Sequence, residues 1–187
     1  MTTSFKRAAA AGFTLIELLI VVIILAIISA IAIPQFSAAT SDAQQSAADA
    51  NLAAVRNAIE LYRAQHAGNA YPGVKTASGG SCTTGGKGNA GTEEAFKAQL
   101  QYPSNKDGQT CALADAEYRY GPYLRQGIPN NPFTDKNSVR VEDEGTALSA
   151  TETGKSWAYD MKSGEFILDA KVEAAGEGDS SSGDGGS

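Results

Sequence analysis

One carboxylate, Glu17, stands inside an otherwise apolar run. Two cysteines, Cys82 and Cys111, stand well apart, and His66 is the only histidine of the 187-residue chain. These are the residues whose types and spacing could do chemistry. An ionised carboxylate within an apolar helix is costly and calls for a positive partner. The cysteines form no CxxC pair, and with a single histidine they fall short of a zinc ligand set. In an exported protein they would close one surface loop as a disulfide; in the cytosol both would stay free thiols. The export signal described below favours the disulfide. There is no GxSxG, no Walker loop and no HExxH, and no glycine cluster between a predicted strand and helix. Ser/His/Asp chemistry would have only His66, at the end of a predicted helix, where an exposed side chain is the simpler expectation. The expectation is a protein that is not an enzyme and needs no cofactor.

The element that must position Glu17 is a long helix. Residues 18–33 read LLIVVIILAIISAIAI, with Ser29 the only polar residue. Counted from Phe13, the run is 21 residues, interrupted only by Thr14, Glu17 and Ser29. At the α-helical rise it is about 30 Å long, the thickness of a bilayer's hydrocarbon core. Lys6 and Arg7 are the only charges in the first sixteen residues, which places the amino terminus in the cytoplasm. A secretory signal peptide also has a basic start and an apolar stretch. Its apolar stretch is usually shorter, however, and Glu17 has no place in it. Pro34 then marks a kink or a locally melted stretch, or simply ends the helix.

Beyond Pro34 the helix is expected to resume. Residues 37–66 hold no Gly or Pro, and Leu52, Val55, Ile59 and Tyr62 recur at intervals of three and four, a single apolar stripe. Gly68 stops it. Residues 73–91 read as a long Gly, Ser, Thr and Lys loop, and Thr92 caps a short helix carrying Phe96 and Leu100 inward. A bridge from Cys82 to Cys111 would tie the flanking loops around that helix. Val139 and Val141 suggest a strand, and Trp157–Asp160 with Glu165–Leu168 flank a hairpin turn. The predicted class is α+β: a long amino-terminal α-helix, half of it transmembrane, packed on a small antiparallel sheet. The segments are a leader (1–12), a transmembrane and core helix (13–36), a head (37–172) and a disordered acidic tail (173–187). The formal charge is −6 overall. Without the first twelve residues Lys+Arg falls from 15 to 13 while Asp+Glu stays at 21, giving −8. No sequence-specific nucleic-acid partner is expected of such a body.

The segment Gly12-Phe13-Thr14-Leu15-Ile16-Glu17, followed by Leu18-Leu19-Ile20-Val21-Val22, resembles the class III signal of type IV prepilins and of type II secretion pseudopilins. The resemblance covers about the first sixth of the chain; a plain membrane anchor would explain the apolarity but neither Gly-Phe nor Glu17. It implies cleavage after Gly12 by a prepilin peptidase and methylation of the new terminus, Phe13. It also implies pairing of Glu17 with the terminal amine of an adjacent subunit, and a proline at the position of Pro34. Tyr120-Gly121-Pro122-Tyr123-Leu124 and Ile128-Pro129-Asn130-Asn131-Pro132-Phe133 are similar to a loop of major pseudopilins and small major pilins. The implied function is a structural subunit that polymerises with itself through its helix. It would wait in the inner membrane and pass through an inner-membrane assembly platform. The leading expectation is a major pilin of a surface filament for adhesion, twitching motility or DNA uptake. The alternatives are a major pseudopilin of a periplasmic pseudopilus and, from another class, a membrane-anchored binding module. Major pseudopilins bind calcium in a carboxy-terminal loop; Asp169, Asp179 and Asp184 offer oxygen ligands here, but a solvated tail is the preferred reading.

Overall fold

A computed structural model describes residues 13–151 and 154–169. The leader and the acidic tail expected over 1–12 and 173–187 lie outside the described residues. Helix α1 runs from Leu15 to Gln65, 51 residues, and the chain divides within it, between Ala43 and Gln44, into two compact units.

From Leu15 onward the first unit is bare helix. Its large apolar side chains are exposed from Leu15 to Phe36, and α1 passes unbroken through position 34. Pro34 therefore neither ends the helix nor melts it, although a proline offers no N–H to the carbonyl of Ala30. Two turns on, the Thr40 hydroxyl donates to the Phe36 carbonyl at 2.8 Å.

The second unit is built on Gln44–Gln65. The predicted stripe holds: Val55, Ile59 and Tyr62 are buried, Leu52 is half-buried, and Ala48 and Ala58 extend the stripe. It packs against Phe96 and Leu100 of α2 (Glu93–Gln101) and against Trp157, Tyr159 and Phe166 of the sheet. Side chains of this size are worth about 1.5–3 kcal/mol each when taken out of water. The Thr92 hydroxyl caps α2, accepting the Ala95 N–H at 3.2 Å. Helix α1 stops where Gly68 turns left-handed, at φ 76°, inside a short 3-10 turn.

The sheet has three strands in the order β1 (Val139–Glu142), β2 (Trp157–Asp160), β3 (Phe166–Leu168). The predicted hairpin is there: β2 and β3 run antiparallel, with Ala158 opposite Ile167. The expectation of an all-antiparallel sheet fails at β1, which runs parallel to β2 with Val139 opposite Trp157. The physical reason is the connection. Residues 143–156 are long enough to carry the chain back to the start of β2, as a parallel pairing demands.

Asp160 fixes this connection to the hairpin. Its buried carboxylate accepts the backbone N–H groups of Glu144, Gly145, Lys162 and Ser163, and the Ser163 hydroxyl. Burial opposes the charge, but these donors outweigh it and hold the pKa at about 2, below the ordinary 3.8. The folded-state value is depressed, so the stabilisation is present above about pH 4 and is lost as pH falls toward about 2. Urea unfolding of Asp160→Asn should show a loss of about 2 kcal/mol at pH 7 and a flatter acid limb than the parent. An unchanged acid limb would mean that the carboxylate does not carry this dependence.

The proline and aromatic loop between α2 and β1 is strapped along α1 by amide side chains. Gln44 Nε2 donates to the Pro132 carbonyl at 3.2 Å and Asn51 Nδ2 to that of Asn130 at 3.1 Å. The Tyr123 hydroxyl donates to Gln65 Oε1 at 2.8 Å, and Trp157 Nε1 to the Pro129 carbonyl at 3.1 Å.

Candidate assembly site at the amino terminus

Phe13 is 81% exposed, and the helix behind it carries the candidate site. α1 is the one helix among the described residues long and apolar enough to cross a membrane, and no residue of its apolar window is buried. In water such a surface would be unsatisfied.

Glu17 sits in the first turn, where Thr14 is the residue before the helix. One carboxylate oxygen, Oε2, accepts both the Thr14 N–H at 3.0 Å and the Thr14 hydroxyl at 2.8 Å. The Glu17 N–H in turn donates to Thr14 Oγ1 at 3.3 Å. This is a reciprocal capping box, which satisfies two otherwise orphaned N–H groups at the helix start. The positive end of the helix dipole adds to it. Among the described residues Oε1 receives no hydrogen bond, so the carboxylate is half engaged. The cap role of Thr14 was missed in reading the sequence, although Thr-x-x-Glu before an apolar run carries that signal. Gly12 lies outside the described residues, whereas Phe13 and Thr14 immediately precede the helix and Glu17 lies in its first turn.

Cys82 and Cys111 are joined as a disulfide, with their Cα atoms 5.6 Å apart. It ties the Gly-rich loop to the segment after α2. The second unit also brings together a pair that the sequence keeps apart: His66 Nε2 lies 2.9 Å from Ser104 Oγ. These are the atoms of a nucleophile and a base, but Ser104 is fully buried and His66 is 5% exposed. A substrate has no access to them. The expectation of an exposed His66 is thus overturned: loops after α2 fold over the end of α1 and enclose the ring.

Asp169, offered above as an oxygen ligand, is buried against Arg140. It accepts from Arg140 Nε at 3.0 Å and Nη2 at 2.9 Å, and from the Thr151 N–H at 2.9 Å. Arg140 also binds Glu142 and the Ser149 carbonyl. A guanidinium, and no gathered set of three or more His, Cys, Asp or Glu among the described residues, occupies this corner. Asp179 and Asp184 lie outside the described residues.

Residues 7–33 match the prokaryotic N-terminal methylation motif. The chain is 49% identical over 59 residues to the type IV narrow pilus major component PilA5 of Thermus thermophilus, a match covering 32% of this chain and 51% of that one. It is 26% identical over 122 residues to the type II secretion system core protein G of Aeromonas hydrophila, covering 65% of this chain and 66% of that protein. The Vibrio cholerae core protein G is 25% identical over 136 residues, 72% of this chain and 74% of its own length. The chain thus spans about half of the first relative and just under two thirds of the second. No solved structure matches it significantly.

Proposed function

We propose that this chain, related to the type IV pilins and the type II secretion pseudopilins, is the major subunit of a type IV pilus-like filament, and that it polymerises through α1. The observation that carries this is the pairing of a bare apolar helix, opened by a half-engaged carboxylate, with a head whose core is complete without it. Such a helix is stable in lipid, or bundled with copies of itself, and in little else. A prepilin peptidase would cut between Gly12 and Phe13, exposing a cationic amine on Phe13 one helical turn from Glu17. Methylation keeps that amine basic. In the filament Glu17 Oε1 would take the amine of a neighbouring subunit, fixing the axial register while apolar side chains fill the core. The inner membrane stores subunits until an assembly platform replaces lipid with helices. Adhesion, twitching motility or DNA uptake would follow from the filament. Mass spectrometry of the mature protein should find Phe13 first, with one added methyl group. An intact amino terminus, or cleavage beyond the apolar run, would remove the basis of this reading.

A second reading rests on the longer matches. The two core protein G relatives align over 65% and 72% of the chain, which takes in much of the head. On that reading the filament is a short periplasmic pseudopilus. Electron microscopy of sheared surface material, labelled for the head, separates the two. Labelled filaments support the pilus. Label retained in the envelope, with protein export lost on gene deletion, supports the pseudopilus.

A further inference from the structure

We infer that His66 is an acid-responsive joint, whose protonation frees the loops over the end of α1 while the sheet stays intact. The inference concerns the head alone and holds for either filament. It begins with the hydrogen bonds of the ring. Nδ1 lies 2.7 Å from the Tyr62 carbonyl, which can only accept, so Nδ1 carries the proton of the neutral ring. Nε2 is then the acceptor, and the Ser104 hydroxyl donates to it at 2.9 Å.

Ser104 is the hub of the overlying loops. It exchanges both backbone hydrogen bonds with Tyr120, at 2.8 and 3.1 Å. It is bridged to Thr110, and next to it the Pro103 carbonyl accepts the N–H of Cys111, the disulfide cysteine. The imidazole therefore links the last turn of α1 to the segments 102–111 and 118–123 through one hydroxyl.

Among the described residues, the enclosure offers a cation no counter-ion. The ring stacks on Tyr62 at 3.7 Å between centroids and is faced by Tyr120 at 5.3 Å and Tyr123 at 6.2 Å. Tyr62 and Tyr123 are held protonated, since burial raises both phenols. The charged group acting on the ring is the Lys75 ammonium, and Asp107 behind it is already paired with Lys75 at 3.9 Å and Lys106 at 3.1 Å. Burial first, and Lys75 in addition, push the imidazole below its ordinary value, against a smaller upward pull from the Tyr62 and Asn105 backbone. Protonation also turns Nε2 into a donor, so the Ser104 hydroxyl must turn its hydrogen away and accept where it had donated.

The folded-state value is depressed, so the ring stabilises the closed loops above about pH 6.5, and this is lost as pH falls below that value. At pH 5 the opened form, with an ordinary imidazole, is favoured by up to about thirty-fold relative to neutral pH. Hydrogen exchange of the full chain in detergent micelles, corrected for intrinsic exchange at pH 7.5 and 5.0, reads this directly. The amides of Ser104, Thr110, Cys111 and Tyr120 should lose protection by five- to thirty-fold, while Trp157 in the sheet and Met161, just past β2 and bonded to the Glu142 carbonyl, keep theirs. His66→Gln should show no such pH response. Proton NMR of the His66 ring in the unmodified chain should give a midpoint below the ordinary histidine value. Equal pH responses in loops and sheet, a response unchanged in His66→Gln, or an ordinary midpoint would each overturn the inference.

Discussion

Glu17→Ala should leave a stable, membrane-resident subunit that forms few or no filaments. The variant inserts into lipid more easily than the parent, because it removes the only charge of the apolar segment. Loss of filaments therefore cannot be ascribed to failed insertion. What it loses is twofold: the capping box with Thr14 and the anion that the proposed pairing requires. Two further variants part these roles. Glu17→Gln keeps an oxygen that can accept the Thr14 N–H but carries no charge. Thr14→Ala keeps the charge and removes the hydroxyl that holds Oε2. If pairing with the amine drives assembly, Glu17→Gln should fail nearly as badly as Glu17→Ala, and Thr14→Ala should assemble in reduced amount. Filament yield from sheared cells, set against subunit in the membrane fraction, measures all three. Normal yield from Glu17→Gln would show that the cap suffices and would remove the ion pair from the account.

How much of this was legible depended on whether a feature is local. The apolar segment, the stripe from Leu52 to Tyr62, the Thr92 cap and the β2–β3 turn all follow from neighbours within a few residues, and all were read from the chain. The parallel pairing of β1 with β2 was not. Short strands of four residues carry no sign of direction, and the direction is decided by a 143–156 connection that Asp160 gathers from the far end of β2. His66 is a second case. Its position at the end of α1 says solvent, and its burial is caused by Ser104, Tyr120 and Tyr123, which arrive from 38 residues away and beyond. Thr14 is the instructive miss, because its signal was local. The Thr-x-x-Glu cap lies in the same six residues as the charge of Glu17.

Removing the disulfide should cost the head about 3 to 4 kcal/mol, and the damage should be confined to one side of it. Cys82 and Cys111 are 29 positions apart, and in the chain-entropy model closing a loop of that length is worth this amount. The loop it restrains has little else to hold it. Residues 73–91 form no strand or α-helix, so their order rests on scattered bonds such as Ala77 N–H to the Gly88 carbonyl at 2.9 Å and Thr110 N–H to the Ala77 carbonyl at 3.1 Å. Close packing makes that arrangement demanding: a Cβ at Gly85 would meet the Thr110 carbonyl oxygen at 2.1 Å, so the two segments lie backbone to backbone. Only glycine permits this approach, and without the covalent tie the entropy of a Gly-rich loop favours its release. The aromatic core around Trp157 and Phe166 lies elsewhere and gains nothing from the bridge. A fragment beginning at Ser37, carrying Cys82→Ser and Cys111→Ser, should therefore unfold at lower urea with its strand signal intact beforehand. Limited proteolysis should cut it within 73–91 under conditions that leave the oxidised fragment whole. Equal unfolding midpoints with and without the disulfide would mean that the packing of Gly85 and Gly86 holds the loop unaided.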